Sequence, residues 1–126
     1  KAGVTAYIES EMARITDIFR EVSVVSKLIL KNCYLTEDEK KTLCHIATKV
    51  KPYFIKTSTG FGTGGATFED VALMKRETEG SGVKIKAAGG IRTLKTALEM
   101  INLGVSRIGS TSSVAIMEEY MAYRFK

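Results

Sequence analysis

The spacing of apolar and polar positions changes several times along the chain, and each change predicts an element. After Thr5, AYIESEMARITDIFREV places Ile8, Met12, Ile15, Ile18, Phe19 and Val22 at helical spacing, which predicts an amphipathic helix whose apolar stripe needs a cover. SKLILK (26–31) is a short apolar run without that period and reads as a strand. Thr36, followed three residues later by Glu39, opens a second helix with Leu43, Ile46, Ala47 and Val50 on one side, and Pro52 ends it. YFIK (53–56) is the next strand. Thr67 caps a third helix, with Asp70 three residues on, Val71 and Met74 inward and Gly80 as the stop. VKIKA is a third strand, a helix runs from Thr93 to Gly104, VSRIGS is a fourth strand, and SVAIMEEYMAYRF is the last helix.

The order is one helix and then four strand–helix units, repeating about every 25 to 30 residues, which implies an α/β fold with a parallel sheet and right-handed crossovers. Two architectures fit. One is a small open sheet; the other is part of a (β/α) barrel, of which 126 residues would be about half, since a full barrel takes about 250. Either way the chain is one domain spanning 1–126. An unclosed four-strand sheet would leave two edges and an exposed apolar face, a liability that association relieves, so a dimer is expected, with two halves facing each other as one way to make it.

Composition narrows the class without naming a function. With 44% hydrophobic and 26% charged residues the chain reads as a soluble globular unit. No apolar stretch approaches a membrane span and no secretory signal pattern opens the chain, so a cytoplasmic address is expected. Residue 1 is a lysine rather than a methionine, which suggests a piece of something longer. Cys33 and Cys44 read as buried reduced thiols. The net charge of +5 suits an anionic partner, but the cations are scattered and no nucleic-acid motif is present, which favours a phosphorylated small molecule. His45 has no partner at metal-ligand spacing and reads as structural; no metal is implied. Tyr34, Tyr53, Tyr120 and Tyr123 read as packing residues with a wet tip, and Glu37, Asp38 and Glu39 as helix-start charges.

Functional groups in parallel α/β folds gather where strands end and loops begin. Lys56 ends its strand and is followed by TSTGFGTGG; Lys86 ends the next and is followed by AAGGIRT; RIGSTSS ends the last. Glycines in AAGGIRT let backbone N–H groups approach a ligand, the helix opened by Thr93 favours an anion at its start, and GSTSS adds hydroxyls. A lysine in such a mouth is partly desolvated, and a second ammonium nearby disfavours its charge further, which is what a Schiff base with a carbonyl substrate requires. Lys56 and Lys86 stand at equivalent strand ends; Lys84 shares a strand face with Lys86 and is either a third cation or a solvated residue at the bottom. The plainer reading is that strand-end lysines are solvated and the loops are ordinary turns.

The segments KNCYLTEDEK, FIKTSTGFGTGGAT, IKAAGGIRT and RIGSTSSVAI, in this order and spacing, resemble the 2-deoxyribose-5-phosphate aldolase family, class I aldolases built on a TIM barrel. The resemblance runs from about Lys27 to about Ile116 and implies the C-terminal half of that barrel. It implies cleavage of 2-deoxyribose 5-phosphate to glyceraldehyde 3-phosphate and acetaldehyde in deoxyribonucleotide catabolism, without metal or organic cofactor. By the resemblance Lys56 forms the Schiff base and Lys86 is the neighbouring lysine that lowers its pKa and helps proton transfer. Gly60, Gly89, Gly90, Arg92, Gly109, Thr111 and Ser112 hold the phosphate, with Thr111 where the family usually has serine. Lys31 stands where the family commonly has an acidic residue, and KPY at 51–53 replaces small residues. The family's proton relay also uses an aspartate on a strand that would precede Lys1. Two readings follow: an aldolase, or a non-catalytic half-barrel that binds phosphate or self-associates.

Overall fold

A computed structural model describes residues 2–125. Five α-helices and four strands alternate in chain order: α1 (Ala2–Glu21), β1 (Lys27–Ile29), α2 (Glu37–Val50), β2 (Phe54–Lys56), α3 (Phe68–Glu77), β3 (Lys84–Ala88), α4 (Leu94–Asn102), β4 (Arg107–Gly109) and α5 (Ser113–Arg124). A single 3-10 turn, Asn32–Tyr34, follows β1. The strands form one parallel sheet in the order β1-β2-β3-β4, as the alternation of the sequence requires.

Local signals set most boundaries. Thr36 makes a full capping box with Glu39, Thr67 accepts from the Asp70 N–H, and Thr93 accepts from the Thr96 N–H, so three helices start where their caps predict. α2 stops one residue before Lys51, which takes a left-handed backbone (φ 57°) ahead of Pro52. α1 begins earlier than expected, at Ala2, and takes in Gly3, a weak helix former. β1, β2 and β4 are shorter than the runs that predict them, and β3 keeps its expected length but starts one residue later.

Alternation divides the sheet into two unlike faces. Ile55, Ile85 and Ala87 turn toward the helices and join Val71, Met74 and Met100 in the buried core. The opposite, open face differs from expectation: it is cationic rather than apolar. Register sets Lys27, Phe54 and Lys84 in one row and Ile29, Lys56, Lys86 and Arg107 in the next. Phe54 is nevertheless only 3% exposed, with the Arg107 guanidinium 4.5 Å over its ring and the Tyr53 ring 5.0 Å away. Ile29 is the exposed apolar residue at the edge of that face, and further exposed apolar side chains sit on α1 and α5, among them Ile18, Val114 and Met117. The stripe of α1 divides: Met12 packs against the core, while Ile15, Ile18 and Val22 face outward.

Smaller expectations were also corrected. Tyr34 and Tyr123 stand largely in solvent instead of packing, while Tyr53 packs its ring 5.0 Å from that of Phe54 and keeps its hydroxyl at the surface. Cys44 is fully buried, but Cys33 is only half-buried, and both are free thiols. His45 is structural, its Nε2 lying 2.7 Å from Glu77 Oε2 and linking α2 to α3. Lys40 makes a second link across the same two helices, 2.7 Å from Asp70.

Candidate active site

The ends of β2, β3 and β4 and their loops enclose a cleft of about 410 Å³ lined by Lys56, Thr59 and Gly60, residues 88–92, and residues 109–111. Three segments far apart in sequence therefore meet at one mouth, and their meeting has a specific cause. Thr57, fully buried beyond the end of β2, donates its hydroxyl to the Ala88 carbonyl and accepts the Ala88 N–H, both at 3.1 Å. That pair of bonds extends the β2–β3 pairing past its last residues and fixes the two lysine-bearing strands against each other. Further out, Ala66 N–H donates to the Gly89 carbonyl at 3.1 Å. There the two backbones pass so closely that a Cβ on Gly65 would lie 2.3 Å from the Gly89 oxygen. Gly89 and Gly90 both take positive φ, 94° and 76°, which side-chain-bearing residues rarely adopt, so AAGG is the sequence this turn requires. The third loop is tied in by Ser110, whose hydroxyl donates to the Ile91 carbonyl and accepts the Ser112 N–H.

Most residues predicted for the site line this cleft: Lys56, Gly60, Gly89, Gly90, Arg92, Gly109 and Thr111. Ser112 lies just outside it as the cap residue of α5, and its side chain makes no capping bond. Lys86 is not part of the lining either. It pairs in register with Lys56 and Arg107, and its ammonium runs along Gly109, 3.7 Å from where a Cβ would be. Lys86 is held below the ordinary ammonium range, first by partial burial, then by the charges of Lys27 and Lys56, a hydrogen bond with Lys27 and the charge of Arg107. Two of those influences, Lys27 and Arg107, are absent from the expected set, although strand alternation in SKLILK and VSRIGS already carries them to the face of Lys86. Lys84 proves to be the solvated alternative, reaching the Tyr53 hydroxyl at 3.3 Å.

One expected anion donor is already engaged. The start of α4, opened by Thr93, does not wait for a ligand: Glu119 from α5 accepts the Leu94 N–H at 3.1 Å and Thr93 takes that of Thr96. The donors that remain for an anion are the backbone of the Gly89–Gly90 turn, the 109–111 loop and Arg92, whose side chain is exposed. Cys33 also borders the region. Burial disfavours its thiolate, but hydrogen bonds from the Thr63 side chain and from the Gly64 and Thr63 backbone outweigh this, and its pKa falls below the usual thiol range. Among the described residues no group of His, Cys, Asp and Glu is arranged to hold a metal, and no helix is long and apolar enough to cross a membrane.

No protein-family model matches the chain. Individual relatives do. The deoxyribose-phosphate aldolase of Bacteroides thetaiotaomicron is 48% identical over 118 residues, which is 94% of this chain and 49% of that protein. The deoxyribose-phosphate aldolase of Thermococcus kodakarensis is 49% identical over 112 residues, 89% of this chain and 50% of that protein. Among solved structures, the aldolase QR15 superposes with a TM-score of 0.87 at 40% identity, covering 99% of this chain and 55% of its own. The sheet with its helices is thus half of a TIM-type barrel, and the chain spans about half the length of the curated relatives it matches. In sequence and in fold, the chain belongs to the deoxyribose-phosphate aldolase family.

Proposed function

We propose that the chain carries the imine-forming and phosphate-binding side of an aldolase that cleaves 2-deoxyribose 5-phosphate to acetaldehyde and glyceraldehyde 3-phosphate and runs the reverse addition. The observation behind this reading is a single cleft that joins Lys56 to the 89–92 and 109–111 loops, with Lys86 in register beside it. In the reading, the Lys56 amine adds to the C1 carbonyl and loss of water leaves an iminium. That cation draws the electrons of the C2–C3 bond, which breaks as the C3 hydroxyl gives up its proton. Glyceraldehyde 3-phosphate leaves, and protonation of the enamine at C2 followed by hydrolysis frees acetaldehyde and restores Lys56. The lysine itself is the electron sink, so the reading calls for no metal or organic cofactor.

Lys86 acts on protons. An amine whose charged form is disfavoured can take a proton from the attacking Lys56 amine and return it at the later steps. Gly60, Gly89, Gly90, Arg92, Gly109, Thr111 and Ser112 hold the phosphate and so place C1 against Lys56. The reading places the protein in the cytoplasm as a homo-oligomer, with a phosphorylated sugar rather than nucleic acid or membrane as its partner.

One observation favours a second reading, a half-barrel that binds phosphate or self-associates without turnover. All 14 Asp and Glu residues lie on helices, save Glu79 just after α3, so the open sheet face offers no carboxylate to a proton relay. Borohydride trapping with 2-deoxyribose 5-phosphate, followed by intact mass and peptide mapping, separates the two. An adduct on Lys56 that disappears in Lys56→Ala supports the imine-forming site. Folded protein with no adduct leaves only the binding half-barrel.

A further inference from the structure

The start of the sheet, at the end of the strands opposite the imine cleft, holds polar groups that the chemistry above does not use. Thr16, Arg20, Val24, Ser26, Lys51 and Tyr53 enclose a cavity of about 120 Å³ between the last turns of α1, the C-terminus of α2 and the residues that lead into β1 and β2. Thr16 is 2% exposed, and among the described residues its hydroxyl finds no hydrogen-bond partner. A buried hydroxyl left unpaired is destabilising, so this one calls for a partner. Ser26, 4% exposed, accepts the Tyr53 N–H at 2.8 Å, which leaves its own proton to give. Two cations line the same cavity. The Arg20 guanidinium donates to Asp17 at 3.0 Å and to the carbonyls of Val50 and Lys51 at 3.3 and 3.1 Å, and it has further N–H groups to give. The Lys51 ammonium forms no ion pair among the described residues.

We propose that this cavity binds a small oxyanion of the phosphate class, held by the buried hydroxyls of Thr16 and Ser26 and by the cations Arg20 and Lys51, and that the anion clamps α1 to the start of the sheet. The balance of donors selects the charge. Hydroxyl protons, guanidinium N–H groups and an ammonium converge, while Asp17, the carboxylate paired with Arg20, does not line the cavity. The carbonyls at the end of α2, which would repel an anion, are already covered by Arg20. Size selects the class: a water takes up about 30 Å³ of liquid, so the space admits an ion of a few heavy atoms and excludes a sugar phosphate. Water alone would pair with the hydroxyls but gives no reason for two cations to meet over them. The site lies away from Lys56 and the 89–92 loop and does not rest on the aldolase reading, so failure of the trapping experiment above would leave it standing.

The test titrates the isotope-labelled chain with sodium phosphate, against sodium chloride at equal ionic strength, and follows backbone amides by NMR. The amides of Thr16, Ser26 and Tyr53 are expected to move together along one binding curve, separate from that of Gly89 and Gly90 in the imine cleft. Thr16→Val keeps the shape and removes the hydroxyl, and should weaken the first curve about tenfold while the response of Gly89 and Gly90 stays as it was. In phosphate-free buffer the same variant should melt no lower than the parent, because it removes an unpaired buried group, so its loss of binding is not a loss of fold. Lys51→Gln, at an exposed position, should weaken the first curve about threefold or more. No movement of the first set, equal movement in chloride, or an unchanged curve in either variant would each overturn the proposal, leaving a cavity that holds water or an adventitious ion only.

Discussion

Gly65→Ala should part the two loops that build the cleft. A Cβ at this position lies 2.3 Å from the Gly89 oxygen, 2.5 Å from its carbonyl carbon and 2.9 Å from its Cα, all of them backbone atoms that cannot rotate away. Carbon–oxygen contacts settle near ~3.3 Å, so the strands of loop must separate by roughly 1 Å. That movement breaks the Ala66–Gly89 hydrogen bond, worth about 0.5–1.5 kcal/mol, and adds an overpacking cost of about 1–3 kcal/mol. The expected loss is therefore roughly 2–4 kcal/mol, or a fall in Tm on the order of 8–16 °C for a chain of this size. Gly82→Ala is the control: it has a positive φ of 81° and open space around it, so it carries backbone strain of about 1–2 kcal/mol and leaves the cleft alone. Thermal unfolding by circular dichroism, together with the yield of borohydride-trapped adduct, reads both effects. If Gly65→Ala melts with the parent and traps equally well, the loops do not meet in solution as described.

Other perturbations test the scaffold. Lys51→Gly should raise stability by about 0.5–1 kcal/mol, because a left-handed residue closes α2, and urea unfolding would show it; a decrease would mean the lysine stem packs there. Lys40→Met strands Asp70, whose side chain is 12% exposed, and should cost about 2–3 kcal/mol, somewhat below the cost of breaking a wholly buried pair, as measured by the same unfolding curves. Glu77 is held below the ordinary carboxylate range chiefly by its hydrogen bond with His45. A lowered folded pKa gives stability that is present above the unfolded value and lost as pH falls through the folded one, so the urea midpoint should drop in acid. His45→Ala should flatten that acid dependence, and an unchanged profile would contradict the pairing.

Much of the fold was legible because its signals are local. The caps at Thr36, Thr67 and Thr93 and the break at Pro52 each depend on residues within a turn of one another, and the structure honours all of them. The start of α1 was not, since Ala2–Thr5 carry no cap signal and include Gly3, a weak helix former that the helix nevertheless absorbs. Two tyrosines went astray for a different reason. Tyr34 and Tyr123 are amphipathic, and their periodicity does not say whether another element reaches them.

The site divides along the same line, between what neighbouring residues decide and what strand pairing decides. Glycines at 89 and 90 announce a backbone turn in the sequence alone, but the clash that makes Gly65 obligatory involves an atom twenty-four residues away and exists only once β2 and β3 are paired. Glu119 shows the limit most clearly. Thr93 opens α4 with every mark of an anion-accepting helix start, yet the anion is supplied by the chain itself from α5. The cation face is the converse case: Lys27 and Arg107 are unremarkable in their own strands, and parallel register across β1 to β4 is what converts them into neighbours of Lys86. Register therefore brings together the charges that lower the Lys86 pKa, so Lys27→Met should raise that pKa toward the ordinary range and Lys49→Met on the outer helix should not.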